Sequence, residues 1–332
     1  MTSSAATKSE LPVFEDVRAA ARRIEGHAVR TPLLGSPALD EKLGGRLLVK
    51  AEPLQRTGSF KFRGAYNKLS QIPQAARANG VVAYSSGNHA QGVAAAAKML
   101  GIPAWIIMPK DAPVIKIART KEYGATVVPY DRYTEDREAM GLELQAKHGA
   151  TLVRPYDDPD IIAGQGTIGL EIAEQCGALG IAPDAVIVCC GGGGLVSGTA
   201  LALSQAMPDV PVYSAEPKDF DDTKRSLESG RRESNDPKAR SICDALLAAT
   251  PGEMTFALNK RLLKGGLAVS DDEARAAMAT AFLELKLVLE PGGAVAVASV
   301  LSGKYPIKGK TVVAVASGGN VDPAQFAQVL GA

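Results

Sequence analysis

The chain has 332 residues, 46% hydrophobic and 22% charged, with 37 Lys and Arg against 36 Asp and Glu. The formal net charge of +1 and the 5% aromatic content provide no basic field for nucleic acid or an anionic membrane surface, and few rings for base stacking. The length suits two domains or one large α/β unit with ample core. Residues 1–10 hold no apolar segment and read as a disordered leader, not a signal peptide. The longest apolar runs, such as 312–316, are far too short for a membrane span. Cys176, Cys189, Cys190 and Cys243 form no C-x-x-C, and His27, His89 and His148 are scattered, which argues against zinc and fits a reducing cytoplasm. The adjacent Cys189 and Cys190 lie in an apolar run and read as small buried hydrophobes.

In chain order, an amphipathic pattern predicts a helix over 14–24, followed by a strand over 46–50 and, past a lysine-bearing turn, a helix over 65–69. A strand over 81–84 and an alanine-rich helix over 90–100 come next. The alternation continues with strands at 104–108, 126–129 and 151–153 and helices at 114–123, 134–147 and 166–176. Beyond them, strands at 185–189, 212–215 and 311–316 alternate with helices at 196–205, around 272–284 and at 293–301. Short apolar strands alternating with helices imply an α/β architecture: two open twisted, mostly parallel sheets flanked by helices. The expected division is a larger domain from 1–78 and 158–332 and a smaller one from 79–157. Ligands gather at the carboxyl ends of such strands, here in the cleft between the two.

Four stretches carry chemistry. Lys61 stands between Phe60 and Phe62, directly after Thr57-Gly58-Ser59. Partial burial there would lower its pKa and leave a nucleophilic amine, able to form a Schiff base with an aldehyde such as that of pyridoxal phosphate. The alternative is one snorkelling lysine at a helix start. Ser85-Ser86-Gly87-Asn88-His89, between a strand and a helix, is dense in donors and suits a carboxylate; the alternative is a plain serine N-cap. Gly191-Gly192-Gly193-Gly194-Leu195 lets backbone amides converge on a phosphate, and no Walker lysine follows it; a tight turn would need fewer glycines. Ser317 in Ser317-Gly318-Gly319-Asn320 offers a hydroxyl that can meet a ring nitrogen without supplying charge, unless the segment is only a Gly-Gly turn. Gly164-Gln165-Gly166-Thr167-Ile168-Gly169 matches G-x-G-x-x-G, but no strand precedes it and it is set aside as a dinucleotide fingerprint.

Together with Ala163–Thr167 and Glu290-Pro291-Gly292-Gly293, these motifs occur in the order of the fold type II pyridoxal-phosphate enzymes, and the chain resembles their threonine/serine dehydratase and serine racemase family over nearly its whole length. The resemblance implies that Lys61 binds the cofactor covalently and serves as acid/base at the substrate Cα. Phe60 would pack on the pyridine ring, Asn88 would bond its phenolic oxygen, and Gly191, Gly192, Gly193, Gly194 and Leu195 would cradle the phosphate. Ser317 would meet the ring nitrogen, and Glu290 would line the cofactor site. Ser85, Ser86, Asn88 and His89 would hold the substrate carboxylate, with Ser86 the base on the opposite face in racemases. Glu216, the carbonyl of Phe220 and Asp222 would bind a magnesium-type ion.

The implied reaction is β-elimination from L-threonine or L-serine to a 2-oxo acid and ammonia. An amino-acid racemase and a 3-hydroxyaspartate dehydratase are the alternatives. The last needs an additional cation for the second carboxylate, and the sequence does not reveal one. The segment 155–159 is closer to the dehydratases than to mammalian serine racemases, which have Asn where Tyr156 stands. A homodimer is expected, as is the absence of isoleucine feedback, since the chain ends at Ala332. A nucleotide-binding or non-catalytic regulatory protein on an α/β scaffold is the reading from another class, but it would have no use for a desolvated amine.

Overall fold

Alternate residues of each central strand feed two different cores, which is why the strands are apolar throughout. The computed structural model describes residues 10–85, 87–112, 114–131 and 133–331. In chain order the elements are α1 (Phe14–Ile24), β1 (Leu33–Leu34), α2 (Pro37–Leu43), β2 (Arg46–Ala51), α3 (Lys61–Ser70), β3 (Val81–Tyr84), α4 (Asn88–Leu100), β4 (Ala104–Pro109), α5 (Val114–Glu122), β5 (Thr126–Tyr130), α6 (Arg137–His148) and β6 (Thr151–Leu152). There follow α7 (Pro159–Ala178), β7 (Ala185–Cys189), α8 (Gly194–Ala206), β8 (Val212–Pro217), α9 (Asp222–Ser229), α10 (Glu253–Leu262), β9 (Leu263–Val269), α11 (Asp271–Thr280), α12 (Pro291–Leu301), β10 (Thr311–Ala316) and α13 (Pro323–Val329).

One sheet has the order β1-β2-β10-β7-β8-β9 and the other β5-β4-β3-β6; every pairing is parallel except β1 with β2. In the larger sheet, Val49, Ile187, Val312 and Ala314 pack with α11 and α12 residues such as Met278 and Val295. Their neighbours Leu48, Val186, Val188 and Val313 pack with Ile168 and Ile172 of α7 and Val196 of α8. The smaller sheet divides likewise, with Val81 and Ile106 facing α3 and α4, and Val82 and Ile107 facing Leu144 of α6. This period of two is what a sheet covered by helices on both faces requires.

The expected alternation holds, with shifted boundaries. The helix expected over 65–69 begins at Lys61, which places the lysine in the first turn of α3. The helix expected from 166 begins at Pro159, with the Asp158 side chain accepting from the Asp160 and Ile161 amides as an N-cap and proline in the first turn. The G-x-G-x-x-G match therefore lies inside α7, where glycine would ordinarily weaken a helix. A Cβ added at Gly164 would stand 2.5 Å from Gly64 Cα, one at Gly166 2.8 Å from Gly198 O, and one at Gly169 2.7 Å from Ala202 Cβ. These glycines let α7 approach α3 and α8; the motif is a packing device. The edge strand β9 was not anticipated, because Gly265 and Gly266 interrupt its apolar pattern. A Cβ at Gly266 would come within 2.6 Å of Lys224 Cβ, so α9 packs directly on that strand.

Candidate active site

The carboxyl ends of β3, β7 and β10 open onto one cavity of about 460 Å³, lined by Phe60, Lys61, Ser85, Asn88, His89, Gly191 to Leu195, Glu290 and Ser317 among others. Ser86, expected as substrate ligand and second base, lies outside the described residues. The turn that presents Lys61 is tied to the loop that follows β10. Ser59 pairs with Gly318 in an isolated bridge, and the Phe60 amide donates to Ser317 O at 3.1 Å. Lys61 Nζ donates to Pro155 O at 2.7 Å and stands 5.1 Å from the centroid of the Phe60 ring. Desolvation by the surrounding protein pushes its ammonium down from 10.5 to about 8, and the Glu290 carboxylate draws it part of the way back.

At the start of α4, the Asn88 side-chain amide donates to Glu290 Oε1 at 2.5 Å, and Asn88 Oδ1 accepts from Asn320 Nδ2 at 2.8 Å. Burial lifts the Glu290 carboxyl to about 7, and the Asp244 charge adds to this. His89 Nε2 lies 3.0 Å from Val153 O, a contact that requires a proton on Nε2. Its Nδ1 is then a buried acceptor, and it has no partner among the described residues. Desolvation, with the Lys61 charge, pushes this imidazole down to about 3, so the ring is neutral. In that tautomer the His89 ring has no N–H left for a carboxylate. The backbone amides of the first turn, His89 included, are the donors that remain.

Past the end of β7, the amides of Gly191, Gly192 and Gly193 donate to nothing among the described residues. Gly193 has φ 96°, a conformation glycine adopts without strain. The other glycines have a second reason to be glycine. A Cβ at Gly192 would stand 2.4 Å from the Tyr156 ring, and one at Gly194 3.1 Å from Tyr156 Cα. Ser317 is buried between Gly293, whose carbonyl accepts its amide at 3.3 Å, and Cys189, which also lines the cavity. All four cysteines are buried and free, as the apolar reading of Cys189 and Cys190 expected.

Two cations on the cavity wall escaped sequence analysis. Lys116 of α5 is paired with Asp244 at 2.5 Å. Arg137, the first residue of α6, stands 5.5 Å from the Tyr84 ring and makes no hydrogen bond or ion pair among the described residues. A positive charge in the first turn opposes the helix dipole, so α6 gains nothing in stability from having it there. No motif marks Arg137; only the fold brings it to the cavity.

The acidic residues expected to bind metal lie outside the cavity. Glu216 on β8 and Asp222 at the start of α9 are both fully buried. Glu216 accepts from the Thr223 and Lys224 amides at 2.9 and 2.8 Å. Asp222 Oδ1 accepts from Asn235 Nδ2 at 2.6 Å, whereas its Oδ2 has no donor among the described residues. Burial lifts Glu216 well above the usual carboxylate range, Asp222 repelling it further, and lifts Asp222 to about 6. Phe220 is buried in the turn between them. Among the described residues, no three His, Cys, Asp or Glu side chains gather as a metal cluster.

A family model described as "Pyridoxal-phosphate dependent enzyme" matches residues 24–318. The chain is 46% identical over 321 residues to an L-threo-3-hydroxyaspartate ammonia-lyase of Pseudomonas sp, covering 97% of this chain and 99% of that one. It is 42% identical over 320 residues to a serine racemase of Schizosaccharomyces pombe, covering 96% and 98%. A solved serine racemase, that of Dictyostelium discoideum, superposes with a TM-score of 0.86 at 37% identity, covering 94% of this chain and 99% of that chain. With a match of that extent, and relatives this similar along their full lengths, the chain belongs to the pyridoxal-phosphate-dependent enzymes.

Proposed function

We propose that the protein is an ammonia-lyase acting on a 3-hydroxy-2-amino acid, and that 3-hydroxyaspartate is the substrate class its cavity suits best. The residues present fit the family's cofactor. Lys61 offers an amine of lowered pKa to the aldehyde, the unpartnered amides of Gly191, Gly192 and Gly193 suit the phosphate, and the Ser317 hydroxyl suits the ring nitrogen. Phe60 would flank the ring, with Asn88, Gly194, Leu195 and Glu290 completing the wall around it. When bound, pyridoxal phosphate supplies an electron sink for the pair left at Cα after deprotonation.

The protein's part is to hold the substrate and move protons. An amine with a pKa of about 8 can take a proton from Cα and return one near neutral pH, which makes Lys61 the acid/base. Ser85, Ser86 and the first amides of α4 hold the α-carboxylate, and the neutral His89 ring leaves that anion without a competing charge. The β-hydroxyl leaves as water, a water returns, and the net change is loss of ammonia to give a 2-oxo acid.

The observation that carries the substrate reading is Arg137, a cation on the cavity wall without a carboxylate partner among the described residues. It is the additional positive group that a second substrate carboxylate needs. The likeness to a 3-hydroxyaspartate ammonia-lyase supports the same choice over threonine or serine. Replacing Arg137 by alanine should lower kcat/KM for 3-hydroxyaspartate by about 30- to 100-fold, the usual worth of a hydrogen bond to a charged group. The value for L-serine should change less than about threefold, since serine has nothing to place there. Equal losses on both substrates, or faster turnover of L-threonine than of 3-hydroxyaspartate by the unaltered protein, would overturn this reading.

We also propose that Glu216, Asp222 and the Phe220 carbonyl hold a divalent cation of the magnesium type. Support comes from two buried carboxylates that repel one another, one with an oxygen that meets no donor among the described residues, which is costly without a cation. Chelator treatment should lower the melting temperature by several degrees, and added magnesium should restore it. Glu216→Gln should abolish that response. A melting temperature indifferent to chelator and magnesium would exclude the site.

A further inference from the structure

We infer that Thr255, braced by Asp157, is a positioning residue that aims the Gly193 amide at the cofactor phosphate. The inference rests on the cofactor reading above and concerns a residue that lies behind the cavity wall, not on it. Thr255 is fully buried, and its hydroxyl donates to Gly192 O at 2.8 Å. The Gly252 amide donates to the same oxygen at 3.4 Å. In a trans peptide, the carbonyl and the following amide point in opposite directions. No cis peptide occurs among the described residues. Holding Gly192 O back toward Thr255 therefore turns the Gly193 N–H the other way, toward the cavity that Gly191 to Gly194 line and Thr255 does not.

The next peptide is held in the same sense. Gly193 O accepts from the Ser197 amide at 2.9 Å, and the Ser197 hydroxyl lies 3.3 Å from Thr255 O. Behind Thr255, Asp157 caps the start of α10: Oδ1 accepts from the Met254 and Thr255 amides at 3.0 and 3.1 Å, and Oδ2 from the Glu253 amide at 3.1 Å. The backing is close, since a Cβ at Gly193 would stand 2.8 Å from Thr255 Oγ1. An amide fixed in direction before the anion arrives needs no reorganisation to bind it, which is how a flexible glycine loop becomes a selective phosphate site.

The test compares pyridoxal phosphate with pyridoxal, which lacks the phosphate, on the full chain freed of cofactor and reloaded. Thr255→Val keeps the shape and removes the hydroxyl; Thr255→Ser keeps the hydroxyl. With Thr255→Val, the Kd for pyridoxal phosphate should rise about tenfold, the effect of one lost hydrogen bond to a preorganised site. The Kd for pyridoxal should stay within about twofold, and Thr255→Ser should restore the phosphate preference. Equal weakening for both ligands, or none for either, would overturn the inference. Failure of the unaltered chain to prefer pyridoxal phosphate over pyridoxal would instead contradict the cofactor reading.

Discussion

Replacing Lys61 by alanine is expected to reduce 2-oxo acid release by about 10⁴-fold or more, while the chain stays folded. In the proposed reading the substitution removes both the amine that would join the cofactor and the base that would face Cα, and effects of that kind are not compensated elsewhere in a site. A yellow colour bleached by borohydride is expected of the parent protein and should be absent from the variant, because among the described residues the other lysine lining the cavity is Lys116, which is held by Asp244. The pH dependence should follow the lowered pKa. Burial favours the neutral amine, so capture of an aldehyde by the cofactor-free protein should rise with pH through a midpoint near 8 rather than near 10.5. Between those two values, the unfolded chain binds more protons at this site than the folded one. The cofactor-free protein should therefore gain stability from this group as pH rises across that window. A coloured, borohydride-sensitive Lys61→Ala protein would refute the assignment.

The largest loss of stability is expected from Arg63→Ala, about 3 to 5 kcal/mol by urea unfolding, the cost of stranding a buried partner charge. Arg63 follows Lys61 by two residues in α3 and is fully buried. Its guanidinium reaches Glu52 through Nε at 2.9 Å and Nη2 at 2.8 Å, and Glu171 through Nη1 at 2.6 Å and Nη2 at 2.9 Å. Lys50, also fully buried, donates to Glu171 Oε2 at 2.5 Å, Thr31 O at 2.7 Å and Gln175 Oε1 at 2.9 Å. Two cations and two carboxylates thus balance in the interior, joining the helix of Lys61 to β2 and α7. Removing Arg63 leaves Glu52 with no exposed surface and no cation partner of its own.

Lysine at the same position should recover little, since one ammonium cannot serve two carboxylates in the fork geometry of arginine. The network should also make stability depend on acid. Burial alone would raise the Glu171 carboxyl, but Arg63 and Lys50 hold it below the usual range. The stability it contributes is present above the unfolded pKa and is lost as pH falls through the lower folded value. A loss under about 1 kcal/mol for Arg63→Ala would mean that water reaches these carboxylates and that the helix of Lys61 is anchored by apolar packing alone.

Much of this architecture is legible in the sequence, because strands buried on both faces must be apolar and their ends must carry the turn residues that meet ligands. That logic led directly to Ser85, the glycines from Gly191, and Ser317 at the ends of β3, β7 and β10. It failed where a residue's role depends on a partner far along the chain. The glycines of α7 are set aside as a nucleotide motif for want of a strand before them, but their packing role shows only when Gly64 and Gly198 are seen against them. Gly192 and Gly194 suggest phosphate alone until Tyr156 is found resting on the loop. His89 suggests a carboxylate ligand until Val153 O is found to occupy its one N–H. Arg137 and Thr255 carry no local signature, since one reaches the cavity only through the placement of α6 and the other works through the carbonyl of a glycine. The strand β9 was lost for a simpler reason: its paired glycines lower β-propensity, and only the approach of α9 explains them.

Incubating the purified protein with 3-hydroxyaspartate, and following 2-oxo acid and ammonia together, decides whether it is the ammonia-lyase proposed. Under that proposal 2-oxosuccinate and ammonia appear in equal amounts, released faster than the corresponding products from L-serine or L-threonine. Inversion at Cα without release of either product would contradict it.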